Sequence, residues 1–196
     1  SRPEKCIDPI NTGVHVYLAL QELIARECPA ITETALTIGQ FCAGSASNVI
    51  PETAVLQGTM RSFDEKTMSH LIARLNEIVP SVAGAYRTKA EIEVISDIPI
   101  VRCNEELNQE IVEGLKELEP ELKAVCAYHV MGSEDFAYIS QKIPASYMCI
   151  GAGIEDVSKR YVEHNPKVRF HESALVKGAA IYAGTAMRWL DLHGNQ

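Results

Sequence analysis

The stretch Thr53-Ala54-Val55-Leu56-Gln57-Gly58-Thr59-Met60-Arg61-Ser62-Phe63 reads as a β-strand, and Asp64 after it opens a helix. Val55, Gln57, Thr59, Arg61 and Phe63 share one face by period-two alternation. Past Asp64 the period lengthens. Met68, Leu71, Ile72, Leu75, Ile78 and Val79 recur at helical spacing as a single apolar stripe, and Asp64 is placed to cap it.

Upstream, residues 32–41 form a second β-like run. Between the two runs lies Ala43-Gly44-Ser45-Ala46-Ser47-Asn48-Val49-Ile50-Pro51, a loop of small residues that turns tightly and lets a ligand approach the backbone. Before these, Val14, Leu18, Leu20, Leu23 and Ile24 follow a helical spacing, with Asn11 or Thr12 as the cap and Cys28-Pro29 as the stop. Downstream, Ala90 to Ser96 alternates Ile92 and Val94 against Glu91 and Glu93, a third strand. The order helix, strand, strand, helix, strand is a ferredoxin-like, split β-α-β sandwich lacking its first strand.

Near Asp97-Ile98-Pro99 the pattern restarts. Asn104 caps a helix carrying Leu107, Ile111, Val112, Leu115 and Leu118. A short strand at Ala124–Tyr128, the turn Met131–Phe136 and a second short strand at Ser146–Ile150 follow. A polar loop through His164 then leads to a last helix, about Glu172 to Leu192. Strands alternating with helices predict one edge of an α/β sheet, so the fold class is α/β with an α+β unit in front.

Composition narrows the function. Over 196 residues, 18 Lys+Arg against 26 Asp+Glu give a net charge of −8, with no basic cluster to neutralise phosphates. Nucleic-acid binding is excluded on that ground. No apolar run approaches the ~18 residues a bilayer span needs. The six cysteines form no Cys-x-x-Cys pair, and we expect them reduced and buried in a cytoplasmic protein.

Three groups of residues could carry chemistry. His164, in a polar loop beside Pro166, is either a solvated surface residue or a metal ligand; His171, seven residues on, is not at a spacing that forces shared coordination. Gly132-Ser133-Glu134-Asp135 is either a helix start capped by Ser133 or a helix terminus whose N–H groups face a substrate carboxylate. Arg61 is either a solvent-facing strand residue or, with Asn48 as its neighbour, a bidentate carboxylate clamp.

Asp8-Pro9-Ile10, Asn48-Val49-Ile50-Pro51, Gly58-Thr59-Met60-Arg61, Met131-Gly132-Ser133-Glu134-Asp135-Phe136 and His164-Asn165-Pro166 together resemble a known family. It is the metal-dependent amidohydrolases that include hippurate hydrolase, indoleacetyl-amino-acid hydrolases and N-acetyldiaminopimelate deacetylase, in the wider aminoacylase/carboxypeptidase superfamily. The resemblance implies a two-metal catalytic domain interrupted by a lid domain that forms a homodimer. By analogy residues 1–98 match the lid and 99–196 the C-terminal segment of the catalytic domain.

Carried over by position, His164 matches the C-terminal metal ligand. Asn48 and Arg61 match lid residues that hold the substrate, in part across the dimer, and Gly132, Ser133 and Glu134 match a loop lining its pocket. The metal is a divalent ion, with zinc, manganese, nickel and cobalt all open. The family's Cys-x-His-x-x-His-Asp-like motif and its Glu-Glu pair, which carry the general base and most ligands, have no counterpart here. The resemblance therefore implies part of an enzyme that cleaves N-acyl amino acids, with this chain inactive alone and no catalytic residue assigned within it. The alternative is a non-catalytic, dimerising small-molecule-binding remnant of that family.

Overall fold

The computed structural model describes residues 2–125 and 129–194. The chain divides into two compact units, Ser1–Ile100 and Val101–Gln196.

Unit 1 is built on an antiparallel hairpin, β1 (Thr34–Ala43) and β2 (Ala54–Ser62), covered on one face by two helices, α1 (Pro9–Glu22) and α2 (Glu65–Ala85). Val16, Leu20 and Leu23 from the α1 side meet Leu71 and Val79 of α2, with Leu36, Ile38, Leu56 and Met60 of the hairpin packed beneath. The strand alternation sets this arrangement. Leu56 and Met60 turn inward, and Thr59 and Arg61 lie on the opposite face.

On β1 the alternation breaks between Ile38 and Gln40, where the register shifts by one residue, as in a β-bulge. Phe41 is thereby paired with Leu56, and its ring lies across Gly13 of α1. Gly58, opposite Ile38 beside that shift, has no room for a side chain: a β-carbon there would run into the Thr37 carbonyl oxygen.

Asp64 caps α2 as expected, accepting from Thr67 N–H at 2.6 Å. The cap of α1 is different. Asp8, rather than Asn11 or Thr12, accepts from the N–H groups of Ile10 and Asn11, with Pro9 in the first turn where its missing N–H costs nothing. The inward stripe of α1 also differs, since Val14 and Leu18 face outward and Val16 and Leu20 inward. The helix runs on through a π-helical turn, Leu23–Glu27, and stops at Cys28 before Pro29.

The expected third strand does not form. Ala90 and Ile92 pack against the core, yet residues 90–96 join no ladder, and the sheet among the described residues has two strands. In the split β-α-β order the closing strand bonds to the opening one, and the described residues offer no such partner.

Unit 2 holds α3 (Glu105–Leu118), a single turn α4 (Ala137–Ser140) and α5 (Ser173–His193). Asn104 caps α3 through Leu107 N–H. Helices α3 and α5 approach closely at two glycines: a β-carbon on Gly114 would meet Arg188 Cδ at 2.6 Å, and one on Gly184 would meet Leu118 at 2.6 Å. Arg188 pairs with Glu117, and His193 with Glu110.

Of α5's own residues only Ala174 is buried, and Leu175, Val176 and Tyr182 are 75%, 74% and 80% exposed. The expected strand Ser146–Ile150 is not a ladder. Tyr147 N–H donates to the Cys103 thiol at 3.3 Å, so a sulfur stands where a neighbouring strand would offer a carbonyl. Of the strand expected at Ala124–Tyr128, residues 124–125 form no strand and residues 126–128 lie outside the described residues. Among the described residues no helix is long and apolar enough to cross a membrane. The five described cysteines are free thiols. Against expectation Cys6, Cys42, Cys103 and Cys149 are exposed and only Cys28 is half-buried; Cys126 lies outside the described residues.

Candidate functional site

Unit 1 carries Asn48 and Arg61 on the same hairpin but at opposite ends. Asn48 is exposed in the loop joining β1 to β2, whose base is the pair Ala43 and Ala54. Arg61 stands opposite Ala35, seven residues further along β2. At ~3.3 Å per residue that is roughly 23 Å of strand. The register does not bring them together within one chain.

The loop begins at Gly44, whose φ of +70° suits glycine, and Ile10 and Pro51 side chains would lie 3.8 Å from a β-carbon there. Its base is thus seated against the start of α1, and Asn48 projects from a supported turn.

Unit 2 carries the remaining candidates. Glu134 does not open a helix behind a Ser133 cap, because α4 begins later, after Phe136, and no side chain caps it. The Glu134 carboxylate is instead engaged on both oxygens: Oε1 accepts from Phe136 N–H at 3.3 Å and Oε2 from the Tyr147 hydroxyl at 2.8 Å. These bonds favour the charged carboxylate, first through Tyr147 and then through Phe136, and hold its pKa below the usual range. Tyr147 responds in the opposite sense. Its phenol is pushed up to about 12, chiefly by the bond to Glu134, with burial next and the charges of Cys149 and Glu163 adding. Tyr147 was not singled out in the sequence. Gly132 and Ser133 are exposed beside this pair.

Glu163 also precedes His164. Asn165 N–H donates to Val162 carbonyl at 3.2 Å, closing a turn with His164 at its third position. The His164 φ is +66°. That left-handed conformation costs a residue with a β-carbon ~1–2 kcal/mol and is usually left to glycine. The other described non-glycine residue with positive φ, Arg87 at +64°, closes the end of α2. His164 closes no helix. Its exposed imidazole makes no hydrogen bond within the described residues, so both ring nitrogens are available to a ligand.

His171 is committed elsewhere. Its Nδ1 lies 2.7 Å from Ser173 Oγ and accepts from Ser173 N–H, tying down the first turn of α5. Among the described residues no three His, Cys, Asp or Glu side chains cluster to hold a metal ion.

Comparison with known proteins places this geometry in a family. Residues 9–188 match the model of peptidase family M20/M25/M40. An IAA-amino acid hydrolase ILR1-like 2 of Arabidopsis thaliana is 31% identical over 96% of this chain and 43% of its own length. Thermostable carboxypeptidase 2 of Saccharolobus solfataricus is 30% identical over 96% of this chain and 48% of its own. A crystal structure of a dinuclear metal-binding peptidase of the M20 family from Bacillus subtilis superposes with a TM-score of 0.71 at 24% identity. It covers 92% of this chain and 46% of that one, and supports the fold. The chain spans about half the length of the curated relatives it matches. With a family model matched from Pro9 to Arg188, the chain belongs to peptidase family M20/M25/M40.

Proposed function

We propose that this chain is part of a metal-dependent amidohydrolase that cleaves the amide bond of N-acyl amino acids or related conjugates. Residues 1–98 serve as a ferredoxin-like lid and dimerisation domain, and 99–196 as the C-terminal segment of the catalytic domain. What supports this most is membership of a family in which a relative is named as a hydrolase of an amino-acid conjugate.

His164 fits one position in a divalent metal site, since its imidazole is open and is held on a turn whose backbone carries a cost. One histidine does not hold a metal alone, and further ligands would come from outside the described residues. When bound, such a metal lowers the pKa of a coordinated water and polarises a carbonyl. Arg61 offers a planar fork for the substrate carboxylate. Asn48 offers a donor and an acceptor without charge. Exposed backbone at Gly132 and Ser133 lines the acyl-amino-acid pocket beside Glu134. Fixing the substrate far from the scissile bond orients it, and that is the contribution of these residues to rate.

The lid associates with a second copy of itself. An open groove of about 380 Å³ between α1 and β1 is lined by Val14, Tyr17, Leu18, Ile38, Gly39, Gln40 and Phe41. Leu18 is 55% exposed there. A dimer also supplies what one chain lacks, an Asn48 and an Arg61 close enough to share one small ligand. The protein works in the cytoplasm, where its free thiols persist.

The test is hydrolysis of N-acetyl and N-benzoyl amino acids by the complete polypeptide and by this chain, each with and without a chelator. The complete polypeptide is expected to be active and chelator-sensitive, and this chain inactive. Substantial turnover by the 196 residues alone overturns the reading.

A further inference from the structure

Two separate stretches of unit 2 converge on Tyr147. Cys103, just before α3, accepts from Tyr147 N–H at 3.3 Å, and its thiol lies 3.8 Å from the Tyr147 carbonyl oxygen. The neighbouring Asn104 N–H donates to Ala145 carbonyl at 2.8 Å. The Tyr147 backbone is therefore anchored on both sides of the residue. Its ring stands against Phe136, with centroids 5.5 Å apart and planes inclined by 45°. Its hydroxyl donates to Glu134 Oε2 at 2.8 Å. Residues 131–136 form no regular element of their own; the carbonyls of Glu134, Asp135 and Phe136 accept from the N–H groups of α4, and the Tyr147 side chain holds the loop at two further points, Phe136 and Glu134.

We propose that Tyr147 is a positioning residue that clamps the 131–136 loop, holding Glu134 and the exposed Gly132–Ser133 backbone in a single arrangement. The clamp rests on observed contacts. Its consequence for substrate rests on the reading that this loop lines the pocket.

Chemically the clamp is specific. A phenol that donates to one carboxylate oxygen leaves the other to accept Phe136 N–H, so the side chain and the backbone of the loop are fixed together. Removing only the hydroxyl keeps the ring contact and frees the carboxylate. Glu134 would then lose the largest of the contacts that lower its pKa, so its midpoint would move up, and the Phe136 amide would lose its steady acceptor.

The experiment is Tyr147→Phe in this 196-residue chain. Amide hydrogen exchange is followed at residues 132–137 and the Glu134 carboxyl is titrated by carbon-13 NMR. Exchange at Phe136 is expected to rise roughly threefold to tenfold, the scale of one lost hydrogen bond, and the Glu134 midpoint to move up. Exchange in α3 should stay unchanged, and Tyr147→Leu, which also removes the ring, should loosen the loop further. Unchanged exchange at Phe136 together with an unmoved Glu134 midpoint overturns the clamp. The pocket reading is judged separately, by KM for N-acetyl amino acids in the complete polypeptide carrying Tyr147→Phe. A loosened loop with KM unaltered leaves the clamp standing and removes the pocket assignment.

Discussion

Arg61 and Asn48 stand at opposite ends of one hairpin, Arg61 across from Ala35 and Asn48 in the loop beyond the pair Ala43 and Ala54. Two residues so far apart serve one small ligand only if they come from two copies of the chain. Subunit mixing tests this. Complete polypeptides carrying Asn48→Ala or Arg61→Met should each lose most activity, and an equal mixture should regain roughly a quarter of it. Half the dimers are then mixed, each with one intact site of two. No recovery on mixing means both residues act within one chain.

Leu18 is exposed and lines the α1 groove, and Leu18→Glu would place a charge on the proposed apolar interface. The variant is expected to sediment as a monomer at tens of micromolar where the unaltered chain sediments as a dimer. Identical sedimentation of the two assigns the interface elsewhere.

Gly58 belongs to the Gly58-Thr59-Met60-Arg61 motif, and its place is structural. A β-carbon would press on the Thr37 carbonyl oxygen, a backbone atom that cannot swing aside. Gly58→Ala should cost ~1–3 kcal/mol, read from urea denaturation. Leu71, fully buried where α2 meets the hairpin, should cost ~2–5 kcal/mol on truncation to Ala. A midpoint unchanged by either substitution contradicts the packing described.

The Tyr147–Glu134 bond carries a two-sided pH dependence. The Glu134 pKa is lowered in the fold, so its contribution is present above the ordinary glutamate range and lost as pH falls through the lowered value. The Tyr147 pKa is raised to about 12, so its contribution is full below the ordinary tyrosine value near 10 and lost as pH rises through about 12. The Tm difference between the unaltered chain and Tyr147→Phe should therefore be widest between roughly pH 5 and 10 and shrink on both sides. A difference independent of pH would show that the hydroxyl acts through packing alone.

Much of the fold was legible because several elements carry their own local marks. Asp64 and Asn104 cap their helices, and Leu71 and Val79 keep the period of α2. Where pairing is non-local, sequence is silent. Ile92 alternates with its neighbours as a strand residue does, yet a ladder needs a partner, which periodicity does not reveal. Ser146–Ile150 fails in the same way, because the Cys103 thiol intervenes 44 residues away. In α1 apolar residues occur on both sides, so Val14 and Leu18 read as part of the inward stripe with Leu20 and Leu23, and Val16, which is buried, does not stand out. Of the candidate site, His164 and Glu134 were visible as residue types in loops. The positive φ of one and the tyrosine partner of the other exist only in the folded backbone.

We infer that Arg61 grips the carboxylate of an N-acyl amino acid in a family amidohydrolase. The most direct test of this is KM of the complete polypeptide for an N-acetyl amino acid and for the corresponding carboxamide, with Arg61 intact and as Arg61→Met. The intact enzyme is expected to prefer the acid strongly, and Arg61→Met to erase the preference by raising KM for the acid alone, about tenfold to a hundredfold for a charge-assisted bidentate pair. An unaltered preference for the acid in Arg61→Met would contradict it.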